Sequence, residues 1–129
     1  KIIHKINLSS LNVEPNYFND KYLYANASFN DEIIAEKTKY LTAVKNLDID
    51  APKFAYEVKV VNGFYEVKLI SKNLVKNLFV DSALEYNFSD NYFDLRPNEQ
   101  KIIRIKRDKF HSLNSFKESL NFLSLHDTY

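Results

Sequence analysis

The sequence predicts an all-β chain that folds as an antiparallel β-sandwich. Three observations support this prediction: a two-residue hairpin turn between alternating runs, a succession of other short β-rich runs separated by turn residues, and an apolar fraction of 45% in a chain of 129 residues. A chain of this length and composition can bury one hydrophobic core. We therefore predict a single sandwich domain over residues 1–129.

The hairpin is the clearest element. Asn62-Gly63 separates two β-rich runs at residues 54–61 and 64–70, and both turn residues accept the positive φ that a type I′ turn requires. A loop of two residues sets the pairing of the runs. Glutamate then faces lysine on one side and apolar residues face each other on the other side: Glu57 with Lys68, Lys59 with Glu66, Tyr56 with Leu69, Val58 with Val67, and Val60 with Tyr65. We expect the two glutamates to be surface ion-pair partners and not catalytic carboxylates.

Other short runs rich in β-branched and aromatic residues predict further strands. They lie at residues 2–8, 22–29, 75–80, 101–106 and 120–125, and a helical turn is predicted at residues 115–118. The run at residues 22–29 alternates in polarity. We expect its inward-pointing side chains to be those of Leu23, Ala25, Ala27 and Phe29.

The segment at residues 32–47 fits two patterns. As part of a sandwich, residues 33–41 would form a strand that leads into a loop. On a helix, one face would carry Ile33, Ile34, Lys37, Tyr40, Leu41 and Val44. Local periodicity alone does not choose between the two.

Composition excludes several classes of function. The formal net charge is +1, with acidic and basic residues mixed along the chain, so no basic surface for a nucleic acid is expected. No apolar run approaches the ~18 residues that a membrane-spanning helix needs. We therefore predict neither a nucleic-acid partner nor a membrane partner.

Metal, thiol and triad chemistry are not predicted either. The chain has no cysteine, which excludes disulfides and thiolate ligands. His4, His111 and His126 lack the spacing of metal ligands, and Ser124, His126 and Asp127 are too close along one strand to form a catalytic triad. We expect no cofactor, no metal site and no catalytic residue in this chain.

The segment at residues 88–99 carries the most specific motif. It reads Phe-Ser-Asp-Asn-Tyr-Phe-Asp-Leu-Arg-Pro-Asn-Glu, and residues 123–129 read Leu-Ser-Leu-His-Asp-Thr-Tyr. Together the two segments resemble the C-terminal immunoglobulin-like domain of family 2 glycoside hydrolases, and in particular of the β-mannosidases. The matching positions are Ser89, Asp90, Asn91, Tyr92, Phe93, Asp94, Leu95, Pro97 and Glu99. Asn98 stands where the family usually has glycine, and asparagine also tolerates a left-handed turn.

The resemblance implies an immunoglobulin-like sandwich in which residues 33–41 form a strand. It also implies a non-catalytic C-terminal accessory domain of a β-mannosidase-like enzyme that hydrolyses terminal β-linked mannose with retention. The two catalytic carboxylates of such an enzyme lie on a barrel domain of about 250 residues, which this chain is too short to contain. The missing initiator methionine agrees with a piece of a longer protein. The compartment stays open, with a bacterial periplasmic or extracellular parent expected.

Two roles are open for the motif. In the structural role, Asp90 and Asn91 cap a turn, Tyr92 or Phe93 packs inward, and Leu95 anchors the following loop. In the functional alternative, Asp90, Asn91 and Tyr92 face a sugar.

A second set of aromatic residues is the candidate for an exposed surface: Tyr17, Phe18, Tyr22 and Tyr24. We expect this surface to contact other domains of the parent enzyme, and an oligomer interface is a further expectation. The alternatives for these four residues are plain surface or core positions and contact with a sugar. For the chain as a whole, the alternatives are a carbohydrate-binding module and a cell-surface immunoglobulin-like repeat. Neighbouring domains of the parent are thus the partners that we predict.

Overall fold

The computed structural model describes residues 17–128, so the strand predicted at residues 2–8 lies outside the described residues. Antiparallel strands dominate. The elements are β1 (Tyr22–Phe29), β2 (Glu32–Tyr40), β3 (Phe54–Val61), β4 (Phe64–Ser71), β5 (Val75–Ser82), β6 (Phe93–Leu95), β7 (Gln100–Lys106), α1 (Leu113–Ser119) and β8 (Leu120–Leu123), with single 3₁₀ turns at Val44–Asn46 and Leu125–Thr128.

The chain divides into two compact units, one ending at Asp48 and one beginning at Ile49. The predicted sandwich lies in the second unit. One domain over residues 1–129 remains a prediction.

In the first unit, β1 and β2 form an antiparallel hairpin with a bulge beside Ala27. Asn30 and Asp31 form its two-residue loop, both with positive φ (50° and 63°), as the primed hairpin turns require. Residues 33–40 of the expected 33–41 therefore lie in a strand, and the helical alternative is wrong, because pairing with β1 outweighs local helical periodicity.

The inward direction expected for the apolar residues of β1 is wrong. Leu23 is 45% exposed and Phe29 is 67% exposed. Alternation in a strand separates two faces, but it does not say which face another layer will cover.

Within residues 49–128, the strands form two three-stranded antiparallel sheets, in the orders β3-β4-β7 and β6-β5-β8. The predicted hairpin is confirmed, with the expected pairing along β3 and β4. Asn62 and Gly63 have φ values of 49° and 81°. The fold is the predicted all-β, immunoglobulin-like sandwich.

The ion pairs of the hairpin differ from those expected. Glu66 bonds to Arg104 of β7, with 2.8 Å between Oε1 and Nε, and Lys59 lies 3.3 Å from Glu57 of its own strand. The reason is that β7 is the other neighbour of β4 and places Arg104 directly opposite Glu66. The hairpin sequence alone carries no information on that third strand.

The core fills the space between the two sheets. Its fully buried side chains come from β4, β5, β6, β7 and α1: Tyr65, Val67, Leu69, Val75, Leu78, Val80, Leu95, Ile103, Ile105 and Phe116. The ring of Phe116 stacks on that of Tyr65, with centroids 4.1 Å apart and planes 6° apart. The predicted helical turn therefore contributes a central core residue.

Candidate functional site

The segment at residues 88–99, here called the motif segment, begins on the sheet that contains β7. Phe88 forms an isolated bridge with Ile105. Ser89 exchanges two hydrogen bonds with the backbone of Arg104: its N–H donates to the Arg104 carbonyl at 3.0 Å, and its Oγ accepts from the Arg104 N–H at 2.8 Å. The first residues of the segment thus extend the edge of β7.

Asn91 then connects the segment to the other sheet, β6-β5-β8. Its Oδ1 accepts from the backbone N–H of Val80 at 2.7 Å, and its Nδ2 donates to the Val80 carbonyl at 2.7 Å. A side-chain amide here replaces the backbone partner that β5 would otherwise need. Asp90 Oδ1 accepts from the Asn91 N–H at 2.8 Å, and Asp90 Oδ2 lies 2.5 Å from Lys101 Nζ. Asp90 and Asn91 therefore lie in a turn that these bonds stabilise.

The middle of the motif segment is β6. Leu95 is fully buried, and Phe93 packs against the core. Asp94 points the other way, where its Oδ1 accepts from Lys76 Nζ at 3.1 Å and from the Asn77 N–H at 2.9 Å. Of the two aromatics proposed to pack inward, Phe93 does so and Tyr92 does not.

The end of the motif segment returns to the first sheet. Pro97 bridges Ser71, and the Asn98 N–H donates to the Ser71 carbonyl at 2.8 Å. Asn98 has φ 62°, the left-handed conformation that its place in the motif implied. Arg96 and Glu99 close the turn, with 2.7 Å between Nη2 and Oε1. The segment therefore links β7, β5 and β4, and so joins the two sheets.

Tyr92 is the exception within the motif segment. It has φ 56° and is 67% exposed, and its ring stacks on that of Phe79 with centroids 4.8 Å apart. A bulky aromatic residue rarely adopts a positive φ. The conformation of Tyr92 has no role in burying the core.

The aromatic surface predicted from Tyr17, Phe18, Tyr22 and Tyr24 lies in the first unit. The rings of Tyr17 and Phe18 make an edge contact at 5.2 Å, and Tyr22 lies 6.1 Å from Tyr40 of β2. Tyr24 Oη donates to Glu36 at 2.9 Å. Tyr22 and Tyr24 are two residues apart on β1, so they point to the same side of the strand, and Tyr17 and Tyr24 are partly exposed.

Sequence reasoning missed a polar cluster formed by Tyr86, Asp108 and His111. Asp108 Oδ2 accepts from Tyr86 Oη at 2.6 Å and lies 2.7 Å from His111 Nδ1, while its Oδ1 accepts from two backbone N–H groups of the same loop. Tyr65 Oη donates to the His111 carbonyl at 2.8 Å. The separation of three residues between Asp108 and His111 was the only hint of this cluster in the sequence. The contact with Tyr86 depends on tertiary structure and could not be predicted.

These contacts change the acidity of the cluster. The hydrogen bond from Tyr86, followed by that from His111, holds the pKa of Asp108 well below its usual range. Burial and the Asp108 carboxylate raise the pKa of Tyr86 far above its ordinary value. Both Asp108 oxygens already accept hydrogen bonds from this loop and from Tyr86, so the arrangement serves to pin the loop before α1 and not to activate a nucleophile.

Acidification is therefore expected to destabilise the chain. Because the folded-state pKa of Asp108 is depressed, its contribution is present above the ordinary carboxyl value of 3.8 and is lost as the pH falls through and below that value. In Asp108→Asn, the free energy of unfolding measured by urea titration should fall less between neutral and acid pH than it does in the unchanged chain. Asp81→Asn, at an exposed position, is the matched control for the change in charge. Equal slopes for Asp108→Asn and the unchanged chain would contradict this assignment.

The structure also describes the residues that were considered for a triad and for a metal site. Asp127 Oδ2 accepts directly from the Ser124 N–H at 2.6 Å and from Ser124 Oγ at 2.8 Å, so these residues cap the last 3₁₀ turn without the Ser–His–Asp order of a triad. In residues 17–128, no group of three or more histidine and carboxylate side chains is arranged to hold a metal ion. No helix in that part of the chain is long and apolar enough to cross a membrane.

Comparison with known proteins adds one finding. The family model Ig_mannosidase, described as an Ig-fold domain, matches residues 49–128. The match covers more than half of the chain and contains both sheets and the whole motif segment. No curated protein matches the chain.

Proposed function

From the premise that this chain belongs to the Ig_mannosidase family of immunoglobulin-fold domains, we propose that it is a non-catalytic accessory domain of a retaining glycoside hydrolase. The parent enzyme is of the β-mannosidase kind in family 2, and it releases terminal β-linked mannose from oligosaccharides. The observation that supports this proposal most directly is that the family match and the sandwich unit both begin at Ile49.

The state of the carboxylates supports a non-catalytic role. A retaining glycosidase needs two carboxyl groups about 5–5.5 Å apart that are free to reach the sugar. In the sandwich, the acidic residues with the firmest contacts are held by other protein groups: Glu66 by Arg104, Asp94 by Lys76, Glu99 by Arg96, Asp90 by Lys101, and Asp108 by Tyr86 and His111. These five acidic residues are therefore not candidates for the catalytic pair, and we assign the reaction to another part of the parent, where two carboxylates need no cofactor.

The surface formed by Tyr17, Phe18, Tyr22 and Tyr24 is the proposed contact with other domains of the parent or with a second copy. Tyrosine offers a large apolar ring with a polar tip, which suits an interface that has both a dry centre and a wet edge. The exposed ring of Tyr17 supports this assignment.

The test compares the longer parent enzyme with a version that lacks residues 1–129. We expect the truncated enzyme to unfold at a lower temperature and to lose hydrolysis of p-nitrophenyl β-D-mannopyranoside faster on heating, because an interdomain surface becomes exposed. The chain alone should not hydrolyse this substrate. Turnover by the isolated chain, or an unchanged melting temperature of the truncated parent, would refute the accessory role.

The interface has its own test. Tyr17→Ala combined with Phe18→Ala should lower the melting temperature of the parent and leave that of the isolated chain nearly unchanged, because only the parent supplies the opposing surface. The same double substitution in the isolated chain is therefore the control. Equal shifts in both proteins would mean that the two rings stabilise the chain itself and not an interface.

A further inference from the structure

The outward face of the sheet β6-β5-β8 carries a row of apolar side chains. Leu78 and Val80 are fully buried, so Phe79 between them points away from the core. Phe79 pairs with Leu123 of β8, and its ring stacks on that of Tyr92, which precedes β6. The row Tyr92–Phe79–Leu123, here called the outer row, therefore crosses the sheet, and its two ends are 67% and 46% exposed.

Tyr92 is presented to solvent at a conformational cost. A positive φ at a non-glycine residue is strained and persists only where the surroundings impose it. Here Asn91 imposes the positive φ of Tyr92. Its Oδ1 accepts from the Tyr92 N–H at 3.1 Å, while the same side chain forms two hydrogen bonds with the backbone of Val80. The ring is therefore held in one place before any partner arrives, which lowers the entropy lost on binding.

Polar side chains lie beside the outer row. Asp81 of β5 pairs with Asn121 of β8. Each lies two residues along its strand from Phe79 or Leu123, and therefore on the same outward face. Both residues are exposed. Within residues 17–128, the structure shows no hydrogen bond to either side chain, so a carboxylate and an amide are available next to the rings.

We propose that this face is a binding site for a hexopyranose ring of a glycan. The axial C–H groups of a pyranose carry partial positive charge and pack on the electron-rich face of an aromatic ring. Its hydroxyls would donate to the Asp81 carboxylate and exchange hydrogen bonds with the Asn121 amide.

A protein partner fits this face less well. The centres of protein interfaces are depleted of charged residues, whereas Asp81 adjoins the outer row directly. A sugar needs both the apolar ring and the neighbouring acceptor. The site is formed by residues of the second unit alone, and only the choice of mannose as the sugar rests on the proposed function.

The test is an NMR titration of the 129-residue chain with β-1,4-mannotriose and, separately, with cellotriose. We expect saturable shifts at Phe79, Asp81, Tyr92 and Asn121, with a dissociation constant of roughly millimolar order. Saturation by either sugar at these residues supports the site. Saturation by cellotriose alone supports the site and counts against a mannose-specific parent. The absence of saturable shifts with both sugars overturns the site and leaves the accessory role standing.

Two variants separate binding from folding. Tyr92→Gly removes the ring and also relieves the positive φ, so it should weaken binding at least about tenfold without lowering the melting temperature. Phe110→Ala removes a ring that is 90% exposed elsewhere and should leave binding unchanged. Retained affinity in Tyr92→Gly, or an equal loss in Phe110→Ala, would overturn the assignment of the outer row.

Discussion

Phe116→Ala is expected to lower the free energy of unfolding by about 3–5 kcal/mol, the usual cost of removing a buried phenylalanine ring. The ring is fully buried, stacks on Tyr65 and meets Tyr86 edge-on at 5.1 Å between centroids. Its loss leaves a cavity where α1 meets both sheets. Because a domain is stable by only about 5–15 kcal/mol, urea denaturation at neutral pH should show the change clearly as a lower midpoint.

The matched control is Phe110→Ala, which deletes the same side chain six residues earlier. Phe110 is 90% exposed, and substitutions at such positions usually change stability by less than about 0.5 kcal/mol. A difference of less than 1 kcal/mol between the two variants (about the size of ordinary surface effects) would contradict the position of Phe116 in the core.

Asn91→Leu is expected to cost about 2–4 kcal/mol. Leucine is similar in size but cannot pair with the N–H and carbonyl of Val80, and each unsatisfied backbone group costs about 1–3 kcal/mol when buried. Two such groups would cost about 2–6 kcal/mol together. Because the two bonds at 2.7 Å are only partly buried, we expect a value in the lower half of that range. The substitution also frees the motif segment from β5, and Tyr92 should lose its imposed conformation.

Urea denaturation measures the change in stability, and Asn87→Leu is the control, because Asn87 is an exposed residue close to the motif segment. Loss of the contact between the rings of Tyr92 and Phe79, seen as altered aromatic NMR shifts, should accompany the loss of stability in Asn91→Leu alone. Equal stability of the two variants would mean that Asn91 is not the link between the segment and β5.

Local pattern was enough to predict most elements of the sandwich. Asn62-Gly63 specified a hairpin whose pairing follows from turn length and alternation, both of which act between neighbouring residues. The strand at residues 22–29 has the bounds that were predicted. Residues 33–41 needed the family resemblance, because their apolar spacing fits a helix as well as a strand.

The motif segment divides in the same way. Its turn at Asn98 and the buried Leu95 followed from residue type and family pattern. The hydrogen bonds between Asn91 and Val80 could not be predicted, because nothing in residues 88–99 indicates which strand will lie next to them. The same limit applies to Tyr92, whose neighbour Phe79 lies on β5.

Sequence alone thus decided where strands and turns form, since these depend on backbone conformation and on alternation over a few residues. Tertiary structure decided which side chains meet: Arg104 with Glu66, Tyr86 with Asp108 and His111, and Tyr92 with Phe79. The physical reason is that strand neighbours are selected by the burial of the whole core. That quantity is a sum over distant residues, and no local pattern reports it.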